Sequence, residues 1–239
     1  TFRQELDRLR TPSVLFSLGP LRTRRLPARR WAEAWKTHFQ PFTVGRALLI
    51  RPSWSRRRPR RDMRLIAIDP GLSFGTGQHP TTRFCLDQLL ACRRQECRQS
   101  CLDLGTGSGL LAIAAAKLGY QKVHALDIDP VAVSIARRNA RRNRVANNLR
   151  FRRGDVRALP LRPASAYDVV CANLLTDLLL QEQERIAAAV RPGGFLVLAG
   201  ILREEMPSVL DAYQSAGFRL IRSRCQGEWR SGCFRRVEP

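Results

Sequence analysis

The stretch that decides the fold reads SCLDLGTGSG at residues 100–109, followed by an apolar run at residues 110–118 and by VHALDID at residues 123–129. This order predicts a buried strand, a glycine turn, a helix and a second strand that ends on acidic residues. Glycines at alternate positions of the turn let the backbone pass close to a ligand, where a side chain would collide with it. The start of the following helix offers unpaired N–H groups. We therefore predict that a small, flat ligand lies across this turn.

Asp127 indicates the chemical class of that ligand. It follows Gly105 by 22 positions and ends the second predicted strand, where a carboxylate can accept hydrogen bonds from both hydroxyls of a ribose. A nicotinamide cofactor would favour a third glycine at the position of Leu110. The spacing Gly-x-Gly-x-Gly is instead typical of S-adenosylmethionine-dependent methyltransferases. Because a glycine turn alone also suits any tight strand-to-helix connection, the other motifs decide between the two interpretations.

Length and cysteine content restrict the class of protein. With 239 residues the chain can bury one α/β core and has little left for a second domain. No apolar run reaches the roughly 20 residues that a membrane-spanning helix needs. The seven cysteines are an odd number and lack the close paired spacing of a zinc site. They predict reduced thiols, no metal site and a cytoplasmic location.

Positive charge is the unusual feature of the composition. The net charge is +22, and only three of the 42 basic residues are lysine. Residues 22–64 carry 13 arginines and one lysine against Glu33 and Asp62, a local charge of +12. Such a basic N-terminal segment attracts polyanions, so we expect it to contact RNA. The alternative is a solvated arginine-rich face in a chain whose composition favours arginine throughout.

Strands and helices alternate along the chain until two final strands, at residues 218–225 and 232–237. This order predicts an α/β fold with a mostly parallel seven-stranded sheet, one antiparallel strand and helices on both faces. Local patterns also predict a turn and a strand at residues 42–51 and a single helix at residues 178–190.

The chain divides into two predicted regions. Residues 1–64 are expected to hold an N-terminal remnant, a helix marked by Trp31 and Trp35, and a basic linker. Residues 65–239 are expected to form the ligand-binding domain.

Polar side chains suited to a site occur at three further places. Residues 69–82 are too rich in glycine, proline and threonine for regular structure, and they lead into a helix with Thr82 in its first turn. His79 is interpreted as a cap or brace of this loop rather than a catalytic group. Asp155 follows the third strand of the sheet, where it either meets an adenine edge or is an exposed turn residue. Asn173 ends the fourth strand, at the edge where parallel sheets bind ligands.

Short motifs between Trp31 and Trp229 resemble those of the ribosomal protein L11 methyltransferase (PrmA) family. The most specific is FGTG-x-HPTT at residues 74–82. The others are W-x-x-x-W-K-x-x-F-x-P at 31–41, PSW at 52–54, DPG at 69–71, D-x-G-x-G-S-G at 103–109, DIDP at 127–130, ANLL at 172–175, GIL at 200–202 and EW at 228–229.

The resemblance implies a Rossmann-like class I methyltransferase domain that uses S-adenosylmethionine as its cofactor. It also implies methyl transfer to lysine side-chain or N-terminal amines of a ribosomal protein, with Asn173 as the catalytic residue that orients the amine. The predicted cofactor-binding residues lie in the glycine-rich loops and at the carboxyl ends of strands: Phe74, Gly75, Thr76, Thr82, Asp103, Gly105, Gly107, Asp127, Asp155 and Asn173.

The positive charge suggests two alternatives. One is a methyltransferase that acts on ribosomal RNA. Enzymes that methylate exocyclic base amines follow the fourth-strand asparagine with two prolines and an aromatic ring that stacks on the flipped base, whereas Leu174, Leu175 and Thr176 follow Asn173 here. The other is a non-catalytic RNA-binding module with a degenerate site, which the joint presence of the glycines, Asp127 and Asn173 disfavours. The sequence therefore favours methyl transfer to protein.

Overall fold

The computed structural model describes residues 39–69, 77–94, 97–161, 163 and 165–238. Phe39–Pro239 form one compact unit. The predicted helix with Trp31 and Trp35 lies outside the described residues, as do Phe74, Gly75 and Thr76. The predicted domain boundary between residues 64 and 65 falls inside the compact unit, at the first residue of a strand.

The described part of the chain contains ten strands and six α-helices. The strands are β1 Phe42–Val44, β2 Leu48–Arg51, β3 Arg64–Ala67, β4 Ser100–Leu104, β5 Lys122–Asp127, β6 Leu149–Arg153, β7 Tyr167–Asn173, β8 Val190–Leu202, β9 Phe218–Gln226 and β10 Trp229–Arg236. The helices are α1 Pro80–Ala91, α2 Leu110–Leu118, α3 Pro130–Arg142, α4 Thr176–Gln181, α5 Gln183–Ala188 and α6 Met206–Ser215.

Two local predictions were wrong. The single helix expected at residues 178–190 is two short helices, α4 and α5, which meet at Glu182. The turn and strand expected at residues 42–51 are a hairpin, because β1 pairs antiparallel with β2. Gly45 opens the hairpin turn with φ +50°, a left-handed conformation that other residues rarely adopt.

Seven strands form the main sheet, in the order β6-β5-β4-β7-β8-β10-β9. Strands β4 to β8 pair in parallel, and β10 runs antiparallel to both β8 and β9. This confirms the predicted mostly parallel sheet with one antiparallel strand. The strand order reverses between β4 and β7, and ligands bind such sheets in the crevice outside the carboxyl ends of the strands at that point.

Helices cover both faces of this sheet, as predicted. Buried apolar side chains of α1, α2 and α3 pack on one face, and those of α4, α5 and α6 pack on the other. Alternate residues of each central strand supply the two cores: Cys101 faces the first core, and Leu102 and Leu104 face the second. Because both faces are buried, the central strands are nearly continuous apolar runs.

A smaller sheet of β1, β2 and β3 packs against the first core through buried Val44, Ile50 and Ile66. The side chain of Asn143 fixes it to the end of α3: its Oδ1 accepts from the N–H of Ala67 at 2.8 Å, and its Nδ2 donates to the carbonyl of Ala67 at 2.8 Å. Among the described residues, no helix is both long and apolar enough to cross a membrane.

Candidate active site

A cleft of about 650 Å³ opens at the carboxyl ends of β4, β5 and β7. Its size is that of a pocket for a small molecule. The residues that line it come from both ends of the described sequence: His79, Thr81, Gly105, Gly107, Leu126, Asp127, Ile128, Asp129, Ala132, Gly154, Asp155, Val156, Arg157, Asn173, Leu174, Leu175, Leu178, Gly200 and Trp229.

The glycine turn is folded onto the end of β5. The N–H groups of Gly105 and Thr106 both donate to the carbonyl of Leu126 at 3.0 Å, and the N–H of Gly107 donates to Asp127 Oδ2 at 2.8 Å. These three N–H groups are therefore used inside the protein, and the carboxylate of Asp127 faces the cleft in their place.

Two of the turn glycines have a left-handed backbone and lie close to neighbouring residues of the protein. Gly105 has φ +70°, and a Cβ there would lie 2.5 Å from Leu174 Cδ2. Gly109 has φ +82°, and a Cβ there would lie 2.9 Å from the Cβ of Ala136 on α3. Gly105 thus makes room for Leu174 in the cleft wall, and Gly109 allows helix α3 to pack closely against the turn.

Asp127 is suited to bind hydroxyl groups. Its carboxylate accepts from Gly107 N through Oδ2 and from Asp129 N, at 3.0 Å, through Oδ1. A carboxylate offers about four acceptor positions, so about two remain for a ligand. The neighbouring side chain of Ile128 lines the cleft although 60% of its surface is exposed. A hydroxyl-binding carboxylate beside an uncovered apolar side chain fits the ribose and base of a nucleoside.

Asp103 lies beneath the turn rather than in the cleft wall. Only 1% of its surface is exposed, and Thr106 Oγ1 donates to its Oδ2 at 2.6 Å. Burial raises the pKa of Asp103 to about 6, and the negative charge of Asp127 adds to this, although the bond from Thr106 opposes the shift. Asp103 thus lies under the turn and outside the cleft lining, and its predicted contact with the cofactor stays a prediction.

Asp155 lines the cleft beyond β6. Its Oδ1 accepts from the N–H of Arg157 at 3.0 Å, and its Oδ2 lies 3.5 Å from Nη1 of the same arginine. The carboxylate is thus held at the rim of the cleft, on the side of Asp127 and Ile128.

Asn173 reaches the cleft from the end of β7, as predicted. Its Nδ2 donates to Thr82 Oγ1 at 3.5 Å. Thr82 is 1% exposed and does not line the cleft. It supports Asn173 from below, and its predicted contact with the cofactor stays a prediction. Gly200 makes room for this segment, since a Cβ there would lie 2.4 Å from the carbonyl oxygen of Leu174 and 3.2 Å from Asn173 Oδ1.

His79 and Trp229 also line the cleft, and sequence reasoning assigned neither to the site. His79 caps α1, as predicted: its Nδ1 lies 2.7 Å from Thr81 Oγ1 and accepts from the N–H of Thr81 at 3.4 Å. Its ring meets that of Trp229 edge to face, with centroids 5.1 Å apart. Burial lowers the pKa of His79, and the nearby charge of Glu228 opposes that shift. The only earlier signal for Trp229 was its place in one of the short motifs.

Comparison with known proteins identifies the family of the chain that forms this cleft. The sequence profile described as "Ribosomal protein L11 methyltransferase (PrmA)" matches residues 5–236. The chain belongs to this family. Family membership confirms the predicted enzyme class, a methyltransferase that uses S-adenosylmethionine.

Individual relatives agree. The ribosomal protein L11 methyltransferase of Chloroflexus aurantiacus is 38% identical over 242 residues, which are 92% of this chain and 73% of the relative. The enzyme of the same name from Geobacter metallireducens is 42% identical over 200 residues, which are 83% of this chain and 64% of that protein. The chain thus spans about two thirds to three quarters of the length of these relatives.

A solved structure gives the same result for the fold. The crystal structure of ribosomal protein L11 methylase from Lactobacillus delbrueckii subsp. bulgaricus superposes with a TM-score of 0.73 at 28% identity, and the match covers 84% of this chain and 100% of that one. This confirms the predicted class I methyltransferase fold.

Proposed function

We propose that this chain methylates amine nitrogens of a ribosomal protein, at lysine side chains, at the N-terminal amine or at both. Its relatives are named for ribosomal protein L11, which supports a substrate of that type. The observation that carries the proposal is the composition of the cleft wall, in which Asn173 is joined by Leu174, Leu175 and Leu178.

These leucines make an aliphatic slot. Leu174 is half-buried over Gly105, whereas Leu175 is 74% exposed. An exposed leucine at the mouth of a cleft can cover the methylene stem of a lysine. Each CH₂ that it buries contributes about 0.8 kcal/mol. A thin, flexible stem fits such a slot better than a rigid purine does.

Trp229 lines the same cleft. A tryptophan ring attracts an ammonium group by about 0.5–2 kcal/mol, depending on how well water is excluded. It can thereby hold a lysine amine near Asn173 before the amine loses its proton. The same ring could stack on a base, and it is the specific observation that favours the alternative function, methylation of ribosomal RNA.

Asn173 orients the amine in this proposal. Its Nδ2 points to Thr82 Oγ1, which leaves Oδ1 as an acceptor for an N–H of the substrate. S-adenosylmethionine supplies a methyl group that its sulfonium already activates. The chain's own task is to hold a neutral amine in line and to keep water away, and loss of the amine proton to solvent is sufficient.

The test offers ribosomal proteins and ribosomal RNA separately to the enzyme with isotopically labelled donor. We expect label in protein and none in RNA, and we expect Asn173→Ala to lose this activity. The matched control is Asn147→Ala, since Asn147 is exposed and does not line the cleft. Label that enters RNA and not protein would establish the alternative function instead.

Two further predictions accompany this proposal. A ribosomal substrate and seven free thiols suit the cytoplasm. Contact between RNA and the basic N-terminal segment, residues 22–64, also stays a prediction, and only residues 39–64 of that segment are described.

A further inference from the structure

One edge of the main sheet is covered by arginine. The chain from residue 130 to residue 154 contains eight arginines and neither aspartate nor glutamate. They lie on α3, on the turn that follows it and on β6, which is the edge strand. All eight are exposed. We call this surface the arginine face, and its members are Arg137, Arg138, Arg141, Arg142, Arg144, Arg150, Arg152 and Arg153.

The charges of the arginine face are largely unpaired. Within the described part of the chain, only Arg142 of these eight forms an ion pair, with Asp69, and Arg137 donates to the carbonyl of Phe151 at 2.8 Å. Arginines elsewhere do have acidic partners, such as Arg191 with Asp168 at 2.8 Å. Among the described residues, repulsion between these like charges is therefore only partly relieved, and an anionic partner would relieve it further.

Burial and the positive charge of this face both lower the pKa values of neighbouring basic groups. His124 on β5 lies opposite Arg150 in the sheet. Burial lowers the pKa of His124, and the charges of Lys122, Arg150 and Arg152 lower it further. The pKa of Lys117 is likewise lowered by burial and by the charges of Arg64 and Arg144.

The face contains two adjoining depressions. The larger, of about 450 Å³, is lined by Arg137, Arg141, Arg150 and Arg152 over an apolar floor that includes Leu149. The smaller, of about 230 Å³, shares Arg137 and Arg141 and adds Arg153.

The spacing of these arginines forms two rows. Arg137 and Arg141 are four residues apart on a helix, which separates them by about 6 Å along its axis. Arg150 and Arg152 are two residues apart on a strand, which separates them by about 6.7 Å. Because Leu149 and Phe151 face the core on the side of α3 and side chains alternate along a strand, the β6 row projects from the other side of this edge strand. A chain with regularly repeated negative charges that follows the edge can meet both rows.

We propose that the arginine face binds RNA through its phosphate backbone. Arginine forms bidentate hydrogen bonds with phosphate, and its planar group stacks on unpaired bases. A lipid surface fits less well, because Val131, in the first turn of α3, is the only large apolar side chain among the described residues of α3 and β6 that is exposed. The choice of RNA as the polyanion rests on the proposed ribosomal substrate.

The face adjoins the active site. The first residues of α3 and the segment after β6 reach the cleft, where Asp129, Ala132 and Gly154 line it. RNA on the arginine face would therefore lie beside the cleft entrance, and it would hold the enzyme next to a protein that is bound to ribosomal RNA. In this arrangement the RNA is bound and not methylated.

The opposite edge of the same sheet provides a matched control. Strand β9 is the other edge strand, and it carries exposed Arg219 and Arg222, for which no ion pair occurs among the described residues. The test compares Arg150→Gln/Arg152→Gln with Arg219→Gln/Arg222→Gln, so that both variants lose two charges from an edge strand. The probe is a fluorescently labelled 30-nucleotide ribosomal RNA fragment, titrated with the full chain at several salt concentrations and without donor.

Two lost phosphate contacts lower the slope of log affinity against log salt by about two. Each phosphate contact contributes about 0.7–0.9 to this slope. The loss of two contacts therefore corresponds to roughly 25- to 60-fold weaker binding at about 0.1 M salt, relative to a 1 M reference. We expect this loss for the β6 variant and little change for the β9 variant. Equal losses would show that only net charge matters and would overturn the proposal. No affinity of the unmodified chain for RNA, or binding to vesicles of anionic lipid in place of RNA, would also overturn it.

Donor binding and thermal unfolding serve as controls for folding, and both should match those of the unmodified chain. Because the titration involves no methyl transfer, it can fail while the proposed function holds, and the labelling assay can fail while RNA still binds.

Discussion

Replacing Asp127 tests whether the cleft binds a nucleoside as the structure indicates. The carboxylate already accepts the N–H groups of Gly107 and Asp129, at 2.8 and 3.0 Å, and about two acceptor positions remain for ribose hydroxyls. A hydrogen bond to a charged group contributes about 1.5–3 kcal/mol. Asp127→Ala should therefore raise the Kd for S-adenosylmethionine about 10- to 150-fold, measured by isothermal titration calorimetry.

Asp127→Asn separates the two tasks of this side chain. Its remaining oxygen can still hold one backbone N–H, so the glycine turn should stay closer to its normal position while the charge is lost. We expect an affinity between that of the unmodified chain and that of Asp127→Ala. The control is Asp87→Ala, which removes only a surface ion pair with Arg224 at 2.7 Å and should leave donor binding unchanged. An unchanged Kd in folded Asp127→Ala, or binding of a nicotinamide cofactor, would refute the reasoning.

Three further predictions concern the residues around the cleft. Asn173→Ala should lower kcat/KM for the protein substrate about 100-fold, because the amine loses its orientation. The Kd for the donor, measured by calorimetry, should change far less, and an equal loss of activity and donor affinity would contradict this role. Gly105→Ala should lower the free energy of unfolding by about 1–3 kcal/mol because of its left-handed backbone, and the contact with Leu174 at 2.5 Å should add to this loss. Gly227→Ala, at φ +63° with open space around it, should show the backbone effect alone, and denaturant unfolding measures both variants. Asp103 holds its proton more tightly when folded, since its pKa is about 6 against 3.8. Its contribution to stability is therefore present below pH 3.8 and is lost as the pH rises to about 6, and this slope should vanish in Asp103→Asn; a slope that persists would show that other groups cause it.

Much of the fold could be predicted from the sequence, because the decisive signals are local. The apolar run before Gly105, the turn and the helix after it lie within 20 residues, and each follows from periodicity or from turn chemistry. Asp127 and Asn173 both line the cleft for a related reason. Both end parallel strands, and the carboxyl ends of parallel strands meet at one edge of the sheet.

Local signals failed where short elements depend on packing. The break between α4 and α5 at Glu182 lies inside a continuous helical pattern, which gives no sign of an interruption. Strand β1 is only three residues long, and its pairing with β2 provides the hydrogen bonds that identify it. No local pattern in the sequence indicated that Asp103 and Thr82 are only 1% exposed, because burial depends on neighbours that are distant in sequence.

The sequence by itself determined the class of fold, the family and the two polar groups at the strand ends. Only the tertiary structure decided which distant residues complete the cleft. Trp229 reaches it because β10 inserts antiparallel beside β8, with Trp229 opposite Leu202, and so brings the ring against His79. The arginine face likewise exists because the sheet order puts β6 at an edge next to α3. Both results depend on long-range strand pairing, which is set by the combined packing of the whole sheet and which no local segment encodes.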